Sequence, residues 1–131
     1  MTETAPVKTI LIVDDSKEIR ELVKATLGED NYSVVEANTG KMAIEMTGTL
    51  RPDLIIMDII MPGSINGFEA IREIRKNPAL KTCPVIILTG TGQRAPAGET
   101  AGIGDIEYFS KPFSPLDLIE KVENLLSVSA S

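Results

Sequence analysis

Apolar residues recur along this chain in two alternating periods. Thr9 to Val13 is a short β-branched apolar run that reads as a strand. Ile19, Leu22, Val23 and Leu27 then fall at helical spacing between Ser16 and Gly28, so the spacing predicts a helix that the glycine ends. Tyr32 to Ala37 alternates weakly, as an edge-like strand does, and Lys41 to Met46 offers a short amphipathic helix. Leu54 to Met57 is continuously apolar, the mark of a strand buried on both faces, and it ends at Asp58. Beyond a Pro/Gly/Asn-rich loop over 61–66, Phe68, Ile71, Ile74 and Arg75 suggest a helix closed by Asn77-Pro78. Val85 to Leu88 is another buried strand, and Glu107 to Ser110 with Leu116 to Leu126 completes a fifth strand and helix pair.

Five alternating strand and helix signals imply a parallel sheet covered on both faces, joined by right-handed crossovers. The expected fold is α/β, a flavodoxin-like doubly wound sheet of five strands in the order 2-1-3-4-5. Residues 8–127 form the expected domain, with 1–7 as a flexible N-terminus and 128–131 as a C-terminal tail. One stretch fits poorly: Gly90, Gly92, Pro96, Gly98, Gly102 and Gly104 crowd the place of the fourth helix, and interior glycine costs about 1 kcal/mol relative to alanine. A short, frayed or displaced fourth helix is expected there.

The bulk properties narrow the function. At 131 residues and 43% hydrophobic, the chain suits one domain with a real core. A net charge of -6 argues against nucleic acid as a direct partner, because phosphate backbones are bound through clustered Lys and Arg. Single Cys83 excludes an internal disulfide framework, and no apolar run is long enough to span a bilayer. Residues 1–6 lack the charged and apolar regions of a signal peptide, so a cytoplasmic location without membrane insertion is expected. Histidine is absent, which removes the commonest general base and neutral metal ligand. Chemistry must therefore run on carboxylates, Lys, Thr and a metal.

In an open parallel sheet, sites form beyond the carboxyl ends of the strands near the switch in strand order. Asp14 and Asp15 follow the first strand, Asp58 ends the third, Thr89 ends the fourth and Lys111 follows the fifth. Singly, each has an ordinary use as a turn, cap or solvated charge. Together they put acid, acid, hydroxyl and amine at corresponding strand ends. Three converging carboxylates need a cation, and Mg²⁺ suits a site of hard oxygen ligands that leaves room for a phosphate. Asp58, rigidly aimed at a strand tip, is the candidate nucleophile; Lys111 would pair with phosphate oxygens and Thr89 would donate a hydrogen bond. Tyr108, three residues before Lys111, is either there for ordinary β-propensity or core filling, or part of a switch.

These residues, in ILIVDD (10–15), LIIMDIIMP (54–62), Ile87 to Thr89 and Lys111-Pro112-Phe113, resemble a response regulator receiver domain over about residues 8–127. The resemblance implies that Asp14, Asp15 and Asp58 hold Mg²⁺ with the backbone carbonyl of Ile60, that Asp58 is the phosphoacceptor, and that Thr89 and Tyr108 are the coupled switch pair. It implies Lys111 on the phosphoryl group, a sensor histidine kinase or phosphotransfer protein as donor, and a downstream protein target. Ile60 and Thr91 fall where similar proteins tune loss of the phosphoryl group. The segment 61–67 (MPGSING) is one residue longer than the usual receiver loop. With nothing after Ser131, signalling is expected to run through partner binding, with the domain assisting its own phosphorylation rather than acting as an enzyme. Three rivals compete: a receiver-fold interaction module without phosphorylation, a Mg²⁺-dependent phosphohydrolase, which would want an acid where Ile60 stands, and a flavin carrier, whose phosphate the Asp14-Asp15 loop would repel.

Overall fold

The computed structural model describes residues 7–28, 31–59, 65–89, 104, 106–110 and 113–130, with side chains up to residue 127. Its elements run β1 (Lys8–Val13), α1 (Lys17–Leu27), β2 (Tyr32–Ala37), α2 (Gly40–Thr47), β3 (Leu54–Asp58), α3 (Gly67–Arg75), a 3₁₀ turn (Pro78–Leu80), β4 (Val85–Thr89), β5 (Glu107–Ser110) and α4 (Pro115–Ala130). The five strands form one parallel sheet in the order β2-β1-β3-β4-β5. Fold class, strand order and the edge position of β2 are as the apolar pattern implied. The glycine-rich segment expected to carry a fourth helix lies outside the described residues, apart from Gly104, so the helix labelled α4 is the one expected as the fifth.

Alternation along the central strands builds two cores. Leu11, Val13, Ile55, Met57 and Ile87 face Ala43 of α2 and Phe68, Ile71 and Ile74 of α3. Ile10, Ile12, Leu54, Ile56, Ile86 and Leu88 face Val23 and Leu27 of α1 and Leu118, Val122 and Leu126 of α4. Every residue of β3 and β4 is buried, which is why those strands read as unbroken apolar runs rather than alternating ones. Each fully buried Ile, Leu, Val or Phe contributes about 1.5 to 3 kcal/mol, so the sheet's centre is also its most stabilised part.

The helix ends follow from local chemistry. Ser16 Oγ accepts from the Ile19 amide at 3.3 Å, and Gly28, at φ 85°, takes the left-handed conformation that closes α1 and donates its N–H to Lys24 O. Asn66 and Glu69 form a reciprocal capping box at the start of α3. Asn77-Pro78 does end α3, but the chain then makes a 3₁₀ turn that the pattern did not indicate. α4 continues to Ala130, into residues expected as a tail. No helix among the described residues is long and apolar enough to cross a membrane.

Candidate metal and phosphoacceptor site

Strand register places the acidic residues side by side. Val13 pairs with Met57, so Asp14, one residue past β1, stands level with Asp58 at the end of β3. One carboxylate oxygen from each of Asp14, Asp15 and Asp58 lies within 4.8 Å of the others. Asp14 and Asp58 are buried and Asp15 is exposed. At 4.8 Å and an effective dielectric near 20, the buried pair Asp14 and Asp58 would repel by about 3.5 kcal/mol when both are ionised.

The donor set fits a hard cation. Bonds of about 2.1 Å around Mg²⁺ leave ligand oxygens no more than about 4.2 Å apart, so oxygens within 4.8 Å of one another need to close by at most about 0.6 Å to reach that limit. A small side-chain rotation or a water ligand closes that difference. The cluster can therefore hold a metal ion, with two buried carboxylates at the ends of adjacent strands and one on the solvent side.

Local structure fixes these groups. The Asp14 amide donates to Ala37 O of β2 at 3.1 Å, and Asp14 Oδ1 accepts from the Ser16 amide at 2.9 Å. Asp14 thus turns the chain into α1 while its carboxylate remains in the cluster. Behind Asp58 stands Gly67, whose amide donates to Ile59 O at 2.9 Å. A Cβ on Gly67 would lie 2.5 Å from the Asp58 carbonyl oxygen and 3.0 Å from Ile59 Cα, so only glycine lets α3 begin this close to the end of β3. Nothing in the apolar pattern marked Gly67; the glycine directly after an Asn cap was its one signal.

Thr89 lies at the end of β4, one residue beyond Leu88, the partner of Asp58. It is buried, and its hydroxyl makes a long 3.5 Å contact with the Phe109 carbonyl of β5. Tyr108 sits on β5 with 46% of its surface exposed, so the core-filling alternative is set aside. Burial of part of its ring pushes the phenol pKa up. β4 and β5 are registered so that Thr89 pairs with Ser110, which puts both residues at the same sheet end. Lys111, Pro112, Ile60, Thr91 and residues 61–64 of the longer loop fall outside the described residues.

Comparison with known proteins agrees with this geometry. A family model described as the response regulator receiver domain matches residues 10–123. The chain is 38% identical over 117 residues to the transcriptional regulatory protein ResD of Bacillus subtilis, covering 89% of this chain and 47% of that protein. It is 36% identical over 120 residues to the chemotaxis protein CheY of Thermotoga maritima, covering 90% of this chain and 97% of that one. The solved structure of the Vibrio cholerae chemotaxis protein CheY4 superposes with a TM-score of 0.80 at 31% identity, over 92% of this chain and 99% of that chain. This chain spans about half the length of several curated relatives, ResD among them, and nearly all of the CheY of Thermotoga maritima. The chain belongs to the response regulator receiver domains, the signalling domains of two-component systems.

Proposed function

We propose that this domain is a phosphoacceptor switch in which Asp58 takes a phosphoryl group from the phosphohistidine of a sensor kinase or phosphotransfer protein. The observation that carries the reading is the convergence of Asp14, Asp15 and Asp58 at the switch in strand order, two of the three buried. A carboxylate oxygen of Asp58 attacks phosphorus in line, the P–N bond breaks, and its electron pair returns to the imidazole nitrogen, leaving an acyl phosphate. Asp14, Asp15 and Asp58, with the Ile60 carbonyl, are the residues that would hold Mg²⁺. A bound Mg²⁺ supplies neutralisation of the phosphoryl oxygens. Lys111 adds a point charge to the same oxygens.

The switch follows from charge. A phosphoryl group on Asp58 adds acceptor oxygens and negative charge, drawing the Thr89 hydroxyl away from its long contact with Phe109 O. Releasing that contact lets Tyr108, now half exposed, move inward and shifts a pre-existing equilibrium. The altered surface would be read by a downstream protein, in the cytoplasm, with no direct nucleic-acid contact by this domain. The domain assists its own phosphorylation and dephosphorylation but turns over no external substrate.

Intact-mass analysis after incubation with acetyl phosphate, with and without Mg²⁺, tests the reading. The expected result is a Mg²⁺-dependent gain of one phosphoryl group by the wild type and none by Asp58→Asn. Equal labelling of the mutant would remove Asp58 from the role, and continuous release of phosphate from phosphate esters would favour a hydrolase.

A further inference from the structure

The main chain of the acidic loop is held by a side-chain clamp that lies outside the cluster itself. Arg20, on α1, donates from Nε to Glu36 Oε1 at 2.8 Å and from Nη1 to the backbone carbonyl of Asp14. Glu36 belongs to β2 and precedes Ala37, whose carbonyl accepts the Asp14 amide. Lys24 binds the other carboxylate oxygen, Oε2, at 3.1 Å. The Arg20 side chain is 15% exposed, so its guanidinium sits in a largely enclosed position with its fork divided between a carboxylate and a carbonyl.

We propose that Arg20, oriented by Glu36, is a positioning residue for the divalent-cation site, an inference that rests on the reading of the acidic cluster as that site. The bond to the Asp14 carbonyl fixes the plane of the peptide joining Asp14 to Asp15. That plane sets where the Asp15 side chain departs, while the Ser16 amide sets the Asp14 carboxylate. The clamp and the Ser16 amide together thus hold two of the three carboxylates in place before the cation arrives, and a cation need not order the loop as it binds. Glu36 has a second effect. The Arg20 guanidinium, bonded to the Asp14 carbonyl, puts a positive charge beside the cation site that would repel the ion, and the Glu36 carboxylate offsets it.

The test is a MgCl₂ titration of the folded chain at fixed ionic strength, followed by amide NMR shifts, on wild type, Arg20→Lys, Arg20→Ala, Glu36→Gln and Lys24→Ala. Removing groups that orient metal ligands weakens metal binding by about tenfold or more, and that is the loss expected for Arg20→Ala. Arg20→Lys keeps the charge but lacks the planar fork, so it should lose nearly as much. Glu36→Gln should weaken Mg²⁺ binding as well, and Lys24→Ala, which leaves the Arg20 clamp whole, should change it by less than about twofold. A purely structural role would lower the melting temperature of Arg20→Lys and leave its Mg²⁺ dissociation constant at the wild-type value; that result overturns the proposal. Where Arg20→Ala does not fold, Arg20→Lys and Glu36→Gln carry the decision. Wild type without saturable Mg²⁺ shifts overturns the metal site and the clamp together, whereas normal wild-type binding with unaffected variants overturns the clamp alone.

Discussion

Replacing Gly67 with alanine should damage both stability and phosphorylation, because the new methyl group has nowhere to go. Its carbon would stand 2.5 Å from the Asp58 carbonyl oxygen, with Ile59 Cα at 3.0 Å and Asp58 C at 3.3 Å. Ordinary contact begins near 3.4 Å, so about 0.9 Å must be found, and every obstructing atom is backbone at the buried end of β3. Moving α3 outward stretches the Gly67 to Ile59 hydrogen bond and loosens Phe68, Ile71 and Ile74 in the core. Overpacking costs about 1 to 3 kcal/mol, and alanine's better helix propensity recovers less than about 1 kcal/mol at a first helical position. The expected net loss is about 1 to 2 kcal/mol, read as a lower urea midpoint with an unchanged slope in circular dichroism. The acetyl phosphate reaction of the folded variant should be slower, since the displaced backbone carries Asp58. Gly48→Ala serves as the comparison, because its Cβ meets a single carbonyl at 3.2 Å on an exposed turn. A Gly67→Ala protein matching wild type in both midpoint and labelling rate would refute the claim that this glycine sets the position of β3's end.

Three further outcomes follow from two ionisable groups. Burial pushes the Cys83 thiol up to about 11, with Asp53 adding to the effect and Arg75 opposing it, whereas an unfolded thiol ionises near pH 9. The native state therefore keeps its proton where the unfolded chain loses it: stability is intact below about pH 9 and falls as pH rises through 11, and Cys83→Ala should flatten that alkaline limb. The same burial should make the thiol react with an aromatic disulfide reagent at pH 8 only after unfolding in urea; rapid labelling of the folded chain would contradict it. At the acid end, burial would raise Glu36, but the hydrogen bonds and charges of Arg20 and Lys24 outweigh it and hold the carboxyl below its ordinary value. That stabilisation is present above about pH 4.3 and is lost as pH falls through the lowered value, so Glu36→Gln should show a shallower acid limb in pH-dependent urea melts. An identical slope would exclude the network from acid denaturation.

Much of this molecule is written in its apolar spacing. β1, β3 and β4 are legible because a strand covered on both faces has no polar phase, and the acids at their ends stand out against those runs. Arg75 fell in the apolar phase of α3 and is indeed buried there, its Nη1 donating to the carbonyls of Leu80, Lys81 and Cys83. The 3₁₀ turn at Pro78–Leu80 was not legible, since it completes that same set of carbonyls and depends on a residue earlier in the chain. The Arg20 and Glu36 pair escaped for a similar reason. Their contact spans sixteen positions and two elements, and each residue alone reads as a solvated charge. Gly67 escaped because a close approach of two backbones leaves no trace in periodicity.

The double-sided burial of β3 also has a mechanical meaning. Leu54 and Ile56 are locked into one core and Ile55 and Met57 into the other, so the strand cannot tilt without opening packing on one side or the other. Asp58 is mounted on a strand held from both faces. β5, by contrast, is four residues long, borders only β4 and alternates between partly buried and exposed positions. A load applied at Asp58 would then be taken up as displacement at a less firmly packed edge such as β5, much as a rigid lever moves its lighter arm.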